Sequence, residues 1–288
     1  MPVPTFPEST EAHHDEGFLQ AKGGLRLYWQ RFAPASPRAT VAVLPGGGDH
    51  SGRYPGLTTA LVRAGAEVVL LDFRGHGRSE GRRWHIDGFE DYLDDTDVFL
   101  EHVRAGAGGR KVFVVGHSQG GLIAASWGLS PARPVAGFVL SSPYLRLKLE
   151  PPRLKVLAAR AVGTVVPWLP LATDLRYQDL TADEELQRWT EADPLYGRAT
   201  TPRWFVESQR AQQGLLGRAS GFVHPVLVML GTADPIADPA AGRAFFEALR
   251  SPDKELRTYP GFRHELFNER ERERPIGDAV AWILARAG

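Results

Sequence analysis

The sequence predicts an α/β fold: a mostly parallel central sheet with helices on both faces and a helical insertion. Three observations predict it. Short β-branched, apolar runs alternate with segments of helical period, the pattern of a parallel sheet covered on both sides. One such run passes through Gly116-His117-Ser118-Gln119-Gly120 straight into a helix-forming stretch. From 143 to 216 the alternation stops, in a segment with several prolines, three tryptophans and no clear strand. With 288 residues, 43% of them hydrophobic, the chain can bury one large core and carry such an insertion.

In chain order, residues 1–16 read as a surface lead-in, with His13-His14-Asp15 frayed and solvated rather than a metal site. Phe18 to Lys22 and Leu25 to Phe32 alternate around Gly23-Gly24, a hairpin signal. Ala39 to Leu44 is a buried strand ending in Pro45-Gly46-Gly47-Gly48, followed by a helix from Leu57 to Ala64 and a strand from Glu67 to Phe73. Phe89, Tyr92, Leu93, Phe99, Leu100 and Val103 share one face of the next helix. Then come the strand Lys111 to Val115, the helix from Gln119 to Gly128 and the strand Val135 to Leu140. After the insertion, strands at Pro225 to Leu230 and Glu255 to Tyr259 flank a helix from Pro239 to Leu249, and a last helix runs from Pro275 to Arg286. Residues 1–142 and 217–288 therefore read as the core, and 143–216 as a helical cap. The cap is apolar at Leu154, Val156, Leu157, Val162, Val165, Val166, Trp168 and Leu169. Most of these side chains bury the cap against the core. Those from Val162 to Leu169, with Val165 and Trp168 between, read equally as lining an apolar channel or touching a lipid surface.

Composition removes several classes of function. Net charge is zero, so no bulk field favours nucleic acid. The absence of cysteine excludes disulfides and thiolate chemistry. The first residues lack a basic and then apolar leader, and no apolar run approaches the ~18 residues of a membrane span. The expectation is a cytoplasmic protein, peripheral to membranes at most. No phosphate-binding loop, dinucleotide-binding glycine pattern or H-E-x-x-H occurs, so neither cofactor nor metal is expected.

What remains is nucleophilic chemistry. G-x-S-x-G occurs twice, at Gly116–Gly120 and Gly77–Gly81. Only the first sits between a strand and a helix, the context that lifts a serine onto a sharp turn and aims a helix N-terminus at the reacting centre. Ser118 is thus the expected nucleophile and Ser79 a loop serine. A serine needs a base, and the base an orienting acid; in this strand order they follow as acid, then histidine. Asp234 lies just off a strand end, whereas Asp238 precedes Pro239 as a helix N-cap; both compete, with Asp234 favoured. His264 is the histidine that follows them, again after a strand. His102 and His224 read as structural, His50 and His76 as braces of glycine loops, and His117 as pointing away from the serine side chain. The oxyanion donors are the N–H of Gln119 and one from the glycine loop, for which Gly47 is favoured.

With these pieces in place the chain resembles the α/β-hydrolase superfamily, and within it the monoacylglycerol lipase and lysophospholipase group. The likeness covers roughly 17–288 and rests on Gly46-Gly-Gly-Asp-His-Ser-Gly-Arg-Tyr54, Asp72-Phe-Arg-Gly-His-Gly-Arg-Ser79, Gly116-His-Ser-Gln-Gly-Gly121, Gly231-Thr-Ala-Asp234 and His264. It implies the triad Ser118, Asp234 and His264, oxyanion positions Gly47 and Gln119, and a helical cap with an apolar acyl tunnel. It also implies that Asp49 and Arg53 shape the polar alcohol end. Two positions depart from the group: Pro45 stands where a histidine is usual, and Thr190 where the mammalian lipase has a tyrosine near the glycerol. The resulting expectation is a serine carboxylester hydrolase that cleaves single-chain lipid or related esters through an acyl-enzyme, with membrane or micelle contact through the cap. Thioesters, small esters or peptides could use the same triad, and a hydrolase-like binding protein is the rival outside enzymes.

Overall fold

The computed structural model describes residues 4–8, 11–148, 163, 165–173 and 175–288. Strands β1 (His13–Gln20), β2 (Arg26–Ala33), β3 (Ala39–Leu44), β4 (Ala66–Leu71), β5 (Val112–His117) and β6 (Gly137–Ser141) are interleaved with helices α1 (Pro55–Arg63), α2 (Glu90–Gly106) and α3 (Gln119–Trp127). The segment 143–216 contributes the short strands β7 (Leu171–Ala172) and β8 (Ala199–Thr200), and helices α4 (Tyr177–Leu180), α5 (Glu184–Ala192) and α6 (Pro202–Gly217). Strand β9 (Val226–Gly231), helix α7 (Pro239–Ala248), strand β10 (Lys254–Tyr259) and helix α8 (Glu273–Ala287) follow.

Eight strands form one sheet in the order β1-β2-β4-β3-β5-β6-β9-β10, and β7 pairs with β8 separately. β1 is antiparallel to β2 and β2 to β4; every later pairing in the large sheet is parallel. Strands β3, β4, β5 and β9 are buried at every position, which is why they read as unbroken apolar runs rather than alternating ones. Alternate residues feed two cores. Val41 and Val43 join Leu57, Leu61, Ile276 and Trp282 beneath α1 and α8, while Ala42 and Leu44 join Tyr92, Phe99, Leu122 and Phe245 beneath α2, α3 and α7. Trp204 and Leu215 of α6 belong to this second core, so the cap is packed on the same apolar mass as the sheet. One carboxylate is buried in β4: Glu67 is satisfied by Arg31, by Arg110 Nη2 at 2.6 Å and by the Thr40 hydroxyl at 2.8 Å.

Two local readings differ from the sequence. His13 and His14 are not frayed; they open β1, and the His14 ring stacks on Phe32 at 4.4 Å. At its start the strand carries His13, His14, Asp15 and Glu16, so this end of an edge strand presents no apolar signal; its one large exposed apolar residue, Phe18, comes later. The insertion, where no strand was legible, holds the two-residue ladder β7–β8. Leu154, Val156, Leu157 and Val162 lie outside the described residues. No helix among the described residues is long and apolar enough to cross a membrane.

Candidate active site

Four loops leave the C-terminal ends of β3, β5, β9 and β10, the end where open α/β sheets collect their ligand groups. The loop after β5 is the sharpest. Ser118 has φ 52° and ψ −116°, in the sparsely populated left-handed half of backbone space. Its N–H donates to Ser141 O and its carbonyl accepts from Leu122 and Tyr144, so the strained turn is held from both sides. Close approach makes the second glycine necessary, since a Cβ on Gly120 would fall 2.0 Å from Leu44 O.

Two other strand ends meet this serine. His264 Nε2 lies 2.8 Å from Ser118 Oγ, and His264 Nδ1 lies 2.8 Å from Asp234 Oδ2. This pattern fits the tautomer in which Nδ1–H donates to the carboxylate and Nε2 accepts from the hydroxyl. Asp234 is itself fixed, because its Oδ1 accepts from the N–H groups of Ile236 and Ala237 at 2.8 and 2.9 Å. Burial alone would pull His264 down, but the charge and hydrogen bond of Asp234 outweigh it and hold the imidazole above its usual range. Asp238 is instead the N-cap of α7, accepting from Ala240 N–H at 3.0 Å.

The glycine loop after β3 rests on the elbow: Cβ atoms built on Gly46 and Gly47 would meet Ser118 Cβ at 3.3 Å and Gln119 Cβ at 3.6 Å. Among the described residues, neither the Gly47 N–H nor the Gln119 N–H donates to another backbone group. Two unspent donors beside a nucleophile are what a developing oxyanion requires. Pro45 leads into this loop, and the N–H of Gly46 donates to Tyr54 Oη at 3.2 Å.

Asp49 and Arg53 are both buried. Arg53 is fully buried; its Nε is 2.8 Å from Asp49 Oδ1 and its Nη2 2.9 Å from Glu265 Oε2. Its guanidinium is flanked by the rings of Trp189 at 4.8 Å and Tyr196 at 5.0 Å. Tyr54 donates to Asp49 Oδ2 at 2.6 Å, and Asn268 to Glu265 Oε2 at 2.9 Å. The pair is thus part of a buried ionic network next to His264, in which Arg53 Nη1 has no hydrogen-bond partner among the described residues. Thr190 is also buried and spends its hydroxyl on Leu186 O.

The remaining candidates separate. Val165, Trp168 and Leu169 are 75%, 48% and 41% exposed, so they face solvent rather than an enclosed channel. The Ser79 hydroxyl accepts from Tyr28 N–H and donates to Asp72 O, a structural role. His117 lies under His264 with ring centroids 5.0 Å apart; burial first, and then the charge on His264, lower it to about 3. His50 accepts from Gly52 N–H through Nδ1 and meets Asp193 through Nε2 at 2.7 Å, tying the glycine-loop region to the cap. Glu265, Tyr196, Trp84 and Trp204 were not singled out from sequence. Glu265 follows His264 directly, but its partner is 212 residues away and no local spacing announces the pair.

Comparison with known proteins agrees with this geometry. Residues 35–271 match the family described as serine aminopeptidase, S33. The chain is 30% identical over 239 residues to phospholipase YtpA of Bacillus subtilis, spanning 82% of this chain and 92% of that protein. It is 28% identical over 279 residues to the monoacylglycerol lipase of Mycolicibacterium smegmatis, spanning 96% and 98%. The crystal structure of Paleococcus ferrophilus monoacylglycerol lipase superposes with a TM-score of 0.82 at 30% identity, covering 90% of this chain and 99% of that one. With the elbow, the strand order and the matched span in agreement, the chain belongs to the S33 serine aminopeptidase family of α/β hydrolases.

Proposed function

We propose that this protein is a serine carboxylester hydrolase acting on single-chain lipid or related esters, with Ser118, His264 and Asp234 as its triad. The observation that carries the reading is the continuous chain from Ser118 Oγ through His264 to Asp234, with two unspent N–H donors beside it. In this mechanism His264 Nε2 takes the Ser118 proton as Oγ attacks the ester carbonyl carbon. The negative oxygen is met by the Gly47 and Gln119 N–H groups, each such donor contributing about 3 kcal/mol to the transition state. His264 then gives its proton to the departing alcohol oxygen. A water molecule, deprotonated by the same imidazole, attacks the acyl-enzyme and releases the carboxylic acid.

The ester class is supported by relatives named as a phospholipase and a monoacylglycerol lipase. Peripheral contact with a membrane or micelle is supported by Val165, Trp168, Leu169 and Leu171, an exposed apolar group in the cap. The family description favours a second reading, hydrolysis of N-terminal peptide bonds by the same triad. A fluorophosphonate probe should label Ser118 in the folded protein and fail on Ser118→Ala. An ester panel run beside an aminopeptidase substrate separates the two readings, and turnover of the peptide alone would overturn the ester assignment. Sedimentation with lipid vesicles, compared between wild type and Trp168→Ser, tests the cap surface.

A further inference from the structure

Acyl transfer needs the base and the oxyanion donors fixed against each other, yet here they leave the sheet from strands that are not neighbours. His264 follows β10 and Gly47 follows β3, and β5, β6 and β9 lie between those strands. No strand pairing joins the two loops directly. A chain of buried polar side chains does. Glu265, the residue after the base, accepts from Arg53 Nη2 through both its oxygens, at 3.1 and 2.9 Å. Arg53 Nε lies 2.8 Å from Asp49 Oδ1, and Tyr54 Oη donates to Asp49 Oδ2 at 2.6 Å. The same Tyr54 oxygen accepts the Gly46 N–H at 3.2 Å, one residue before the Gly47 donor.

The links of this chain are held from other sides as well. Asn268 Nδ2 donates to Glu265 Oε2 at 2.9 Å and to the Arg53 carbonyl at 3.2 Å. The Glu265 N–H donates to Leu180 O of the cap at 2.8 Å. Asp49 Oδ1 also accepts the His50 N–H at 2.9 Å. The Tyr54 ring meets His117 at 6.4 Å and His117 meets His264 at 5.0 Å, a second route by packing. Asp49, Arg53, Tyr54, Glu265 and Asn268 are all at least 96% buried. Buried ion pairs are often no more stabilising than apolar side chains of the same volume, so stability alone does not account for three charges beside the base.

We propose that Glu265 and Tyr54 are positioning residues, the two ends of a brace that sets His264 and the oxyanion loop against each other at Ser118. This rests on the proposed ester hydrolysis at Ser118 and adds to it what aligns the base with the oxyanion donors. The test is kcat and KM for 4-nitrophenyl butyrate, with the rate of fluorophosphonate labelling, in wild type, Glu265→Gln, Tyr54→Phe and the double variant. Each single variant should lose about ten- to a hundredfold in kcat and in labelling rate with KM little changed, the effect of a small misplacement of reacting groups. The double variant should fall well short of the product of the two losses, because either change breaks the same brace. Kinetics are read well below each variant's Tm. Should Glu265→Gln fail to fold, Tyr54→Phe, which removes a single oxygen, carries the test. Single losses that multiply to within about twofold, folded variants with wild-type kcat, or a change in KM alone would overturn the brace while leaving ester hydrolysis standing. A wild type that neither hydrolyses the ester nor takes the probe overturns both.

Discussion

Replacing Arg53 by Met asks whether this residue is structure or substrate contact. Its guanidinium is fully buried between the rings of Trp189 and Tyr196 and neutralises two carboxylates, Asp49 and Glu265. Met fills a similar volume but leaves both carboxylates buried without a cation. Breaking a buried ion pair from one side costs about 3–5 kcal/mol. At roughly 2–4 °C per kcal/mol for chains of about this size, Tm should fall by about 6–20 °C. Calorimetry or circular dichroism would read this. A variant that melts within about 2 °C of wild type and loses only kcat/KM would refute the structural role and make Arg53 a substrate contact.

Ser79→Ala should keep kcat while losing about 1–3 kcal/mol of stability, because the Tyr28 N–H loses its acceptor; Ser118→Ala should lose about five or six orders of magnitude of kcat in a folded protein. The reverse pair of results would mean that the wrong G-x-S-x-G was chosen. Asp234→Asn should lower kcat about 10⁴-fold. In wild type, kcat/KM should rise with pH through an apparent pKa above the ordinary 6.5 of histidine, since only the neutral imidazole accepts the serine proton; Asp234→Asn should move that inflection down. His117 is buried and lowered from 6.5 to about 3, so the unfolded chain gains a proton that the folded one refuses. Urea midpoints should therefore decrease as pH falls through 6.5 toward 3, and His117→Gln should flatten that dependence.

The parts legible in sequence are those whose signal is local. A strand buried on both faces is an unbroken apolar run, and β3, β4, β5 and β9 stand where such runs predicted them. Ser118 and Asp234 were readable because each closely follows such a strand, and His264 because it is the histidine that comes after them, beyond the mixed edge strand β10, in the chain order that the strand order sets. What was missed depends on distant residues. The Trp84–Trp204 pair joins positions 120 apart in sequence, and nothing near Trp84 announces its positive φ. Nothing near Glu265 announces its ion pair, because its partner Arg53 lies 212 residues earlier. His13 and His14 looked like a frayed terminus because β1 pairs through its backbone and keeps its polar side chains outside. In the cap, apolar composition alone could not tell inward from outward, and Val165, Trp168 and Leu169 face out.

The strand order has a consequence for how the protein becomes active during its synthesis. Ser118 lies 146 residues ahead of the imidazole it meets. At a translation rate of about 5–20 residues per second, the nucleophile is made roughly 7–30 s before its base. Strand β10, which delivers His264, is the outermost parallel strand and pairs with β9 alone. A nascent chain can therefore form its elbow early yet remain chemically inert. Reactivity toward a serine probe on ribosome-bound intermediates would then time the docking of the last strand.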